Sequence, residues 1–436
     1  MTDALARLGE DRSAGKAAGL CSVCSAHPDV LQAAVDLAAR AGAPLLVEAT
    51  ANQVNQHGGY TGLTPEEFAA SLASLCERSG ADPSAAVFGG DHLGPYPWRD
   101  LEPSAAMAEA EVLVRRFIRA GARKIHLDAS MPLAGEGPAL APEIAARRAV
   151  ALCAACEEEW RTLDHSGLPP LPAYVIGTEV PVPGGESAAA GAPVPTRAAD
   201  FHQTVEVHRR LFHEAGLDAA WERVAAVVVQ PGVEFDHGTV YPYSRESAAD
   251  LSRAIAAHPG LCFECHSTDY QSSAALREMV EDGFAILKVG PELTFTLREA
   301  LFGLASIEEE LLGEAASRLR ATVREAMRRD PRHWKGYYPQ DASLSFWMAY
   351  GYSDRMRYYW NHASVKQAVR TLWENLGRVR IPAQLVSQYL PHLGLMPDLP
   401  AGAQTPSELL HQSIRASLER YLGACAPAGR PAGVRA

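Results

Sequence analysis

Residues 86–95 read AVFGGDHLGP. The first part, Ala86–His92, is a short β-type run of small and apolar residues that ends on an aspartate and a histidine. Seven more runs share its length and character: Leu20–Ala26, Pro44–Thr50, Lys124–Ser130, Ala173–Glu179, Val224–Gln230, Leu261–Ser267 and Ala285–Gly290. Between them lie amphipathic stretches of helical period: Pro28–Ala41, Pro65–Ser79, Pro103–Ala120, Glu143–Trp160, Arg197–Ala215, Ser244–Ala257, Ser272–Asp282 and Thr294–Leu312. Strands that alternate with helices of this length predict a parallel sheet. Eight units predict closure into a (β/α)8 TIM barrel, with an open doubly wound sheet as the alternative.

A barrel of about 250 residues leaves room in a chain of 436 for an extension. The expected organisation is a barrel over 17–313, a helical C-terminal extension over 314–424 and a disordered tail over 425–436. Val180–Pro195, rich in Pro, Gly and Ala, reads as a mobile loop over the mouth. The formal net charge of −12 disfavours nucleic acid or an anionic membrane as partner. No apolar h-region opens the chain and no stretch has the length of a bilayer span, so a cytoplasmic protein is expected. Three C-x-x-C pairs, Cys21/Cys24, Cys153/Cys156 and Cys262/Cys265, invite a zinc reading. The first and third lie in strand-like runs, where side chains three apart point to opposite faces, so free thiols are the better reading of the eight cysteines.

Polar residues gather at the C-terminal ends of the strand-like runs, the face on which barrels carry chemistry. The second run ends in VEAT and continues into ANQVNQHGGYTG, with Asn52 and Gln53. The third ends in GGDHLGP, the fourth in HLDAS, the fifth in IGTE, the seventh in FECHSTD and the eighth in LKVG; the sixth opens into QPGVEFDHGTVYPY. His92, His237 and His266 could therefore converge from separate walls on one divalent ion, although any one alone could be a satisfied core or surface histidine. Asp91 could be a general base or a loop cap. Asp128 and Ser130 could bind sugar hydroxyls or cap a loop, and Glu179 could be a ligand, an acid–base group or a solvated carboxylate. Lys288 should point inward, as a Schiff-base nucleophile or as the partner of Glu264 or Glu48. An aromatic-basic segment, HWKGYYP at 333–339 and YSDRMRYYW at 352–360, could clamp an anion through Lys335, Arg355 and Arg357 or simply pack.

VEATANQVNQHGGYTG, GGDHLGPYPW, KIHLDASM, IGTEVPVPGG, QPGVEFDHGTVYP, FECHSTDYQ, LKVGPELTFTLREAL, HWKGYY and YSDRMRYYW together span nearly the whole chain. Through them the sequence resembles the GatZ/KbaZ-type accessory subunits of class II tagatose-bisphosphate aldolase. Those look like divergent relatives of the class II fructose/tagatose-bisphosphate aldolases. The resemblance implies a class II aldolase-type barrel with zinc, or Mn²⁺, Ni²⁺ or Co²⁺, held by His92, His237 and His266 with Glu179 nearby. It implies Asp91 as catalytic acid/base, with Asp128 and Glu179 as further catalytic candidates. Asn52, Gln53, Ser130, Ser267, Asp269, Lys335, Arg355 and Arg357 are the expected substrate contacts.

The sequence departs from the aldolases after His266, where Ser-Thr-Asp-Tyr replaces a glycine-rich phosphate turn, and at LKVGPEL, which lacks their Asn and Thr phosphate ligands. A sugar with C1 unphosphorylated fits better than a bisphosphate. Some members of the family are reported to be fructose or fructose 6-phosphate 4-epimerases. The resemblance thus implies a keto-sugar or sugar phosphate as substrate, with an aldolase catalytic subunit and further copies of the chain as possible partners.

Overall fold

The structure, a computed structural model, describes residues 2–43, 45–82, 86–137, 140–164, 170–178, 192–394 and 404–427. Eight parallel strands close a barrel in which each pairs with its neighbours in sequence and the last with the first. They are β1 (Leu20–Val23), β2 (Leu45–Thr50), β3 (Ala86–Leu93), β4 (Lys124–Leu127), β5 (Ala173–Ile176), β6 (Val224–Val229), β7 (Cys262–Cys265) and β8 (Phe284–Val289). The (β/α)8 TIM barrel expected from the alternating pattern is therefore the fold.

Around it run α1 (Thr2–Ser13), α2 (Pro28–Ala41), α3 (Pro65–Arg78), α4 (Pro103–Arg119), α5 (Pro142–Thr162), α6 (Ala198–Glu214), α7 (Asp218–Trp221), α8 (Arg245–Ala254), α9 (Ser273–Glu281) and α10 (Pro291–Leu312). Local chemistry sets several of their starts. Thr64 and Glu67 form a capping box ahead of Pro65 at the first turn of α3. Ser272 caps α9 through the amide of Ala275. The strands begin within one residue of expectation, and all but β2 and β3 end earlier, so His266 and Asp128 sit just past β7 and β4. All eight cysteines are free, and seven are buried.

α1 was not foreseen. Its Leu5 and Leu8 are buried against Leu20, Leu46, Val175, Ala225 and Ile286, so it plugs the end of the barrel opposite the polar strand termini. C-terminal to the barrel lie α11 (Leu319–Arg329), α12 (Leu344–Tyr350), α13 (Ala363–Leu376), α14 (Ala383–Tyr389) and α15 (Pro406–Cys425). A Thr405/Glu408 capping box starts α15, which packs on α2, α9 and α10 with Leu409, Ile414, Leu418 and Tyr421 fully buried. Barrel and C-terminal helices share one continuous apolar core. Cys425, placed in the expected tail, closes α15 with its side chain buried; residues 428–436, like Glu179 and most of the loop after it, lie outside the described residues.

Midway up, the barrel interior turns ionic. Ser22, Glu48, Lys124, Glu264 and Lys288 point inward and are all buried. Lys124 Nζ lies 2.7 Å from Glu48 and 2.6 Å from Glu264; Lys288 Nζ lies 2.7 Å from Glu48, 2.7 Å from Asp91 and 3.3 Å from Glu264. Gly89, paired in register with both Glu48 and Lys124, leaves space for their contact, since a Cβ there would sit 3.2 Å from Glu48 Cγ.

Removing one partner of a buried ion network leaves the other charges uncompensated and costs about 3–5 kcal/mol. Lys124→Met is therefore expected to lower the unfolding free energy by about that amount in urea titration. A loss below about 1 kcal/mol, the range of an exposed pair, would mean that the network does not hold these charges in balance.

Candidate active site

β3 delivers Asp91 and His92 to the mouth, and the end of β7 delivers His266 opposite them. His92 Nε2 and His266 Nδ1 face each other at 3.0 Å. Each ring is held from behind by a carboxylate: His92 Nδ1 lies 2.7 Å from Asp128 Oδ2, and His266 Nε2 lies 3.2 Å from Glu264 Oε1. A carboxylate takes an N–H, so these contacts place a proton on each rear nitrogen, and what joins the two facing nitrogens is then either a further proton or a cation. Two lone pairs at that distance repel unless a proton or a cation lies between them. The spacing is close to the roughly 3.3 Å expected between two imidazole ligands of a tetrahedral ion with bonds of about 2.0–2.1 Å.

The surrounding charge points the same way. Glu48, Asp91, Asp128 and Glu264 are buried carboxylates, and Lys124 and Lys288 are the buried ammonium groups among them. Four against two leaves a formal charge of −2 before the histidines are counted, which a cation or added protons at the facing rings would offset. Burial works against charge on Asp91, but His92 and Lys288 outweigh it and hold the carboxyl well below its usual range. Burial likewise opposes protonation of His92, yet Asp91 and Asp128 hold its pKa up, while burial pushes His266 down to about 3. Lys288, despite burial, is held as an ammonium by Asp91 and its other acidic neighbours. It lacks the lone pair of a Schiff-base nucleophile and fixes Asp91 instead.

A second group, Asp91, His126, Glu264 and His266, brings potential ligand atoms within 4.8 Å of one another. Lys124 and Lys288 already neutralise its carboxylates, so the His92–His266 gap is the better cation site. His126 was missed in the sequence. It shares an inward face with Lys124 and Asp128 in KIHLD, and period-two alternation along β4 could have found it. Its Nε2 is buried without a hydrogen-bond partner.

The pocket in front of these groups is lined by Cys24, Thr50, Asn52, Gln53, Asp91, His92, His266, Ser267, Asp269, Lys288, Arg357, Tyr358 and Trp360, among others. Backbone strain concentrates here. His92 has φ 47°, Ser267 φ 54°, and nearby Tyr270 and Asp354 have φ 64° and 38°, conformations that cost non-glycine residues on the order of 1–3 kcal/mol each and cluster at functional sites. Gly94 is required where β3 leaves the barrel, because a Cβ would lie 1.5 Å from the carbonyl oxygen of Asp128.

The other expected residues fall in different places. His237 is not among the groups that meet at the gap; its ring packs against Trp347 and Tyr338, although its Nδ1 is buried and unpartnered. Asp128 and Ser130 do not line the pocket: Asp128 backs His92, and its other oxygen accepts from the Ser130 hydroxyl at 2.9 Å. Gln53 spends its amide on the backbone, accepting from Thr50 N–H and donating to the Cys24 carbonyl.

The three-residue clamp is not assembled either. Lys335 is exposed and away from the pocket. Arg355 is buried between the rings of Tyr337 and Tyr358, donating to the His333 carbonyl. Arg357 alone of the three lines the pocket, stacked over Tyr358. Asp269 accepts from the amides of Gly290 and Glu292, and burial pushes its carboxyl up to about 7.

A family model described as D-tagatose-1,6-bisphosphate aldolase subunit GatZ/KbaZ-like matches residues 5–426. A crystal structure described as a probable tagatose 6 phosphate kinase from Sinorhizobium meliloti 1021 is 43% identical, with TM-score 0.85, over 93% of this chain and 100% of that one. The fructuronate-tagaturonate epimerase UxaE from Cohnella laeviribosi shares the fold at 11% identity and TM-score 0.51, over 93% of this chain and 81% of that one.

Loss of a carboxylate behind a ligating histidine weakens metal binding by about 10–100-fold. Asp128→Asn is accordingly expected to reduce Zn²⁺ affinity by that factor, measured by competition with a chromophoric chelator. Unchanged affinity would put the ion elsewhere.

Proposed function

The chain belongs to the GatZ/KbaZ-like family, and from that premise we propose that it is a metal-dependent ketohexose 4-epimerase, interconverting fructose and tagatose or their 6-phosphates. The observation that carries this reading is the pair of carboxylate-backed imidazoles whose remaining ring nitrogens lie 3.0 Å apart, beside Asp91 in the pocket wall. His92 and His266 would hold the ion, with Glu179 joining them by resemblance. The ion, zinc or else Mn²⁺, Ni²⁺ or Co²⁺, would supply Lewis-acid polarisation of the sugar's carbonyl and adjoining hydroxyl oxygens.

Asp91 accepts the proton of the C4 hydroxyl. The C3–C4 bond then breaks, its electron pair passing to C3 and into an enediolate over C2 and C3, while C4 becomes an aldehyde. The aldehyde fragment turns to present its other face, the C3–C4 bond re-forms, and a proton returns to the C4 oxygen, giving the 4-epimer with no net change of atoms. Lys288 keeps Asp91 in place at 2.7 Å throughout. A second proton carrier is needed on the opposite face of the sugar. Glu179 is the assignment that remains, because Asp128 is committed to His92. With Arg357 the sole member of the expected clamp at the pocket, the free ketohexoses are favoured over the 6-phosphates. The family description itself supports a second reading, in which the chain serves a separate aldolase as a subunit.

The test incubates purified protein with fructose and with fructose 6-phosphate, each with Zn²⁺, Mn²⁺, Ni²⁺ or EDTA, and resolves the sugars chromatographically. The 4-epimer is expected with metal and not with EDTA. No epimer in any sample sinks the proposal. Co-purification with an aldolase subunit, without turnover by the chain alone, would establish the accessory reading, and release of dihydroxyacetone would establish a lyase.

A further inference from the structure

Where β8 ends, α10 begins, and this helix of 22 residues points its N-terminus at the pocket through Gly290 and Pro291. In barrels, the loops after the seventh and eighth strands and a helix N-terminus nearby are the usual place for a substrate phosphate, because free amides and the helix dipole favour an anion there. Here that place is taken by one of the protein's own carboxyl groups. Asp269, carried on the loop after β7, is 2% exposed and lines the pocket, and its Oδ1 accepts from Gly290 N at 3.0 Å and Glu292 N at 2.8 Å.

The first turn of α10 is acidic on other sides too. Asp354 accepts from the Thr294 hydroxyl, and buried Glu292 accepts from the Tyr421 hydroxyl and pairs with Arg420. A phosphate arriving at this turn would have to displace one buried carboxylate from its amides and lie beside another, with Arg357 as the cation lining that wall.

We propose that Asp269 is a specificity-determining residue: its carboxylate stands in for a phosphate at the N-terminus of α10, so that the end of the sugar on the β7–β8 side must be an unphosphorylated hydroxymethyl group. The inference rests on the keto-sugar reading of the pocket and adds the residue that keeps a phosphate from that end of the substrate. It also predicts that the pocket gains a phosphate site when this one side chain no longer occupies the two amides.

The experiment compares wild type with Asp269→Asn and Asp269→Ser. Asparagine keeps an oxygen to accept from the two amides while losing the charge; serine frees the space. Binding of inorganic phosphate, read by ³¹P line broadening and calorimetry, needs no turnover, so its outcome is separate from that of the epimerase assay. At least tenfold tighter phosphate binding by Asp269→Ser than by wild type is expected, with Asp269→Asn in between. Folded variants that bind phosphate no better than wild type overturn the proposal. Calorimetry of wild type with fructose and with fructose 1-phosphate decides independently of whether the variants fold. Weaker binding of the 1-phosphate by tenfold or more is expected, and equal or tighter binding of it overturns the proposal.

Discussion

Two imidazoles whose ring nitrogens face each other at 3.0 Å are the constraint on which the mouth of this barrel is organised. Left to themselves, His92 and His266 would settle at 3.0 Å by sharing a proton, one ring donating to the other. Asp128 and Glu264 bind the rear nitrogens and each draws a proton to that side of its ring. The arrangement is complete only with a positive centre between the rings, and the excess of buried carboxylates over ammonium groups asks for the same thing. A purely structural core would not be built this way, since apolar residues of similar volume would hold the barrel as well or better without desolvating six charges.

The scaffold carries that cost by division of labour. Below the ionic layer, α1 and the aliphatic residues of β1, β2, β5, β6 and β8 form a dry plug. Within the layer, Lys124 bridges Glu48 and Glu264, while Lys288 reaches up to Asp91. Above it, the C-terminal region reaches back over the barrel. Tyr421 of α15 donates to the Thr268 carbonyl and to Glu292, tying the loop after β7 to the start of α10, and Arg357, Tyr358 and Trp360 complete the pocket wall. The helical extension is therefore part of the site.

The barrel was legible because each strand announces itself as a short apolar run and each helix as a period of 3.6, often with its cap, as at Thr64–Pro65. Strand ends were less legible: His266 and Asp128 were placed on strands, yet they lie just beyond, where backbone pairing has stopped. The site was legible in part. Asp91, His92 and His266 were found from position at strand ends, whereas His126 was overlooked although alternation along β4 places it inward. What spacing could not reveal was which distant segment folds over the mouth. That depends on packing between residues hundreds of positions apart, which is why Lys335 and Arg355 were expected at the pocket together with Arg357. The role of Asp269 was hidden for the same reason: its partners are amides, which carry no sequence signal.

The most direct test of the account is diffraction from crystals of the protein grown with Zn²⁺, with data collected on both sides of the zinc absorption edge. An anomalous peak bonded to His92 Nε2 and His266 Nδ1 at about 2.0–2.1 Å is the predicted result. An absent peak with the two rings still in contact, or a peak bonded to neither, would contradict it.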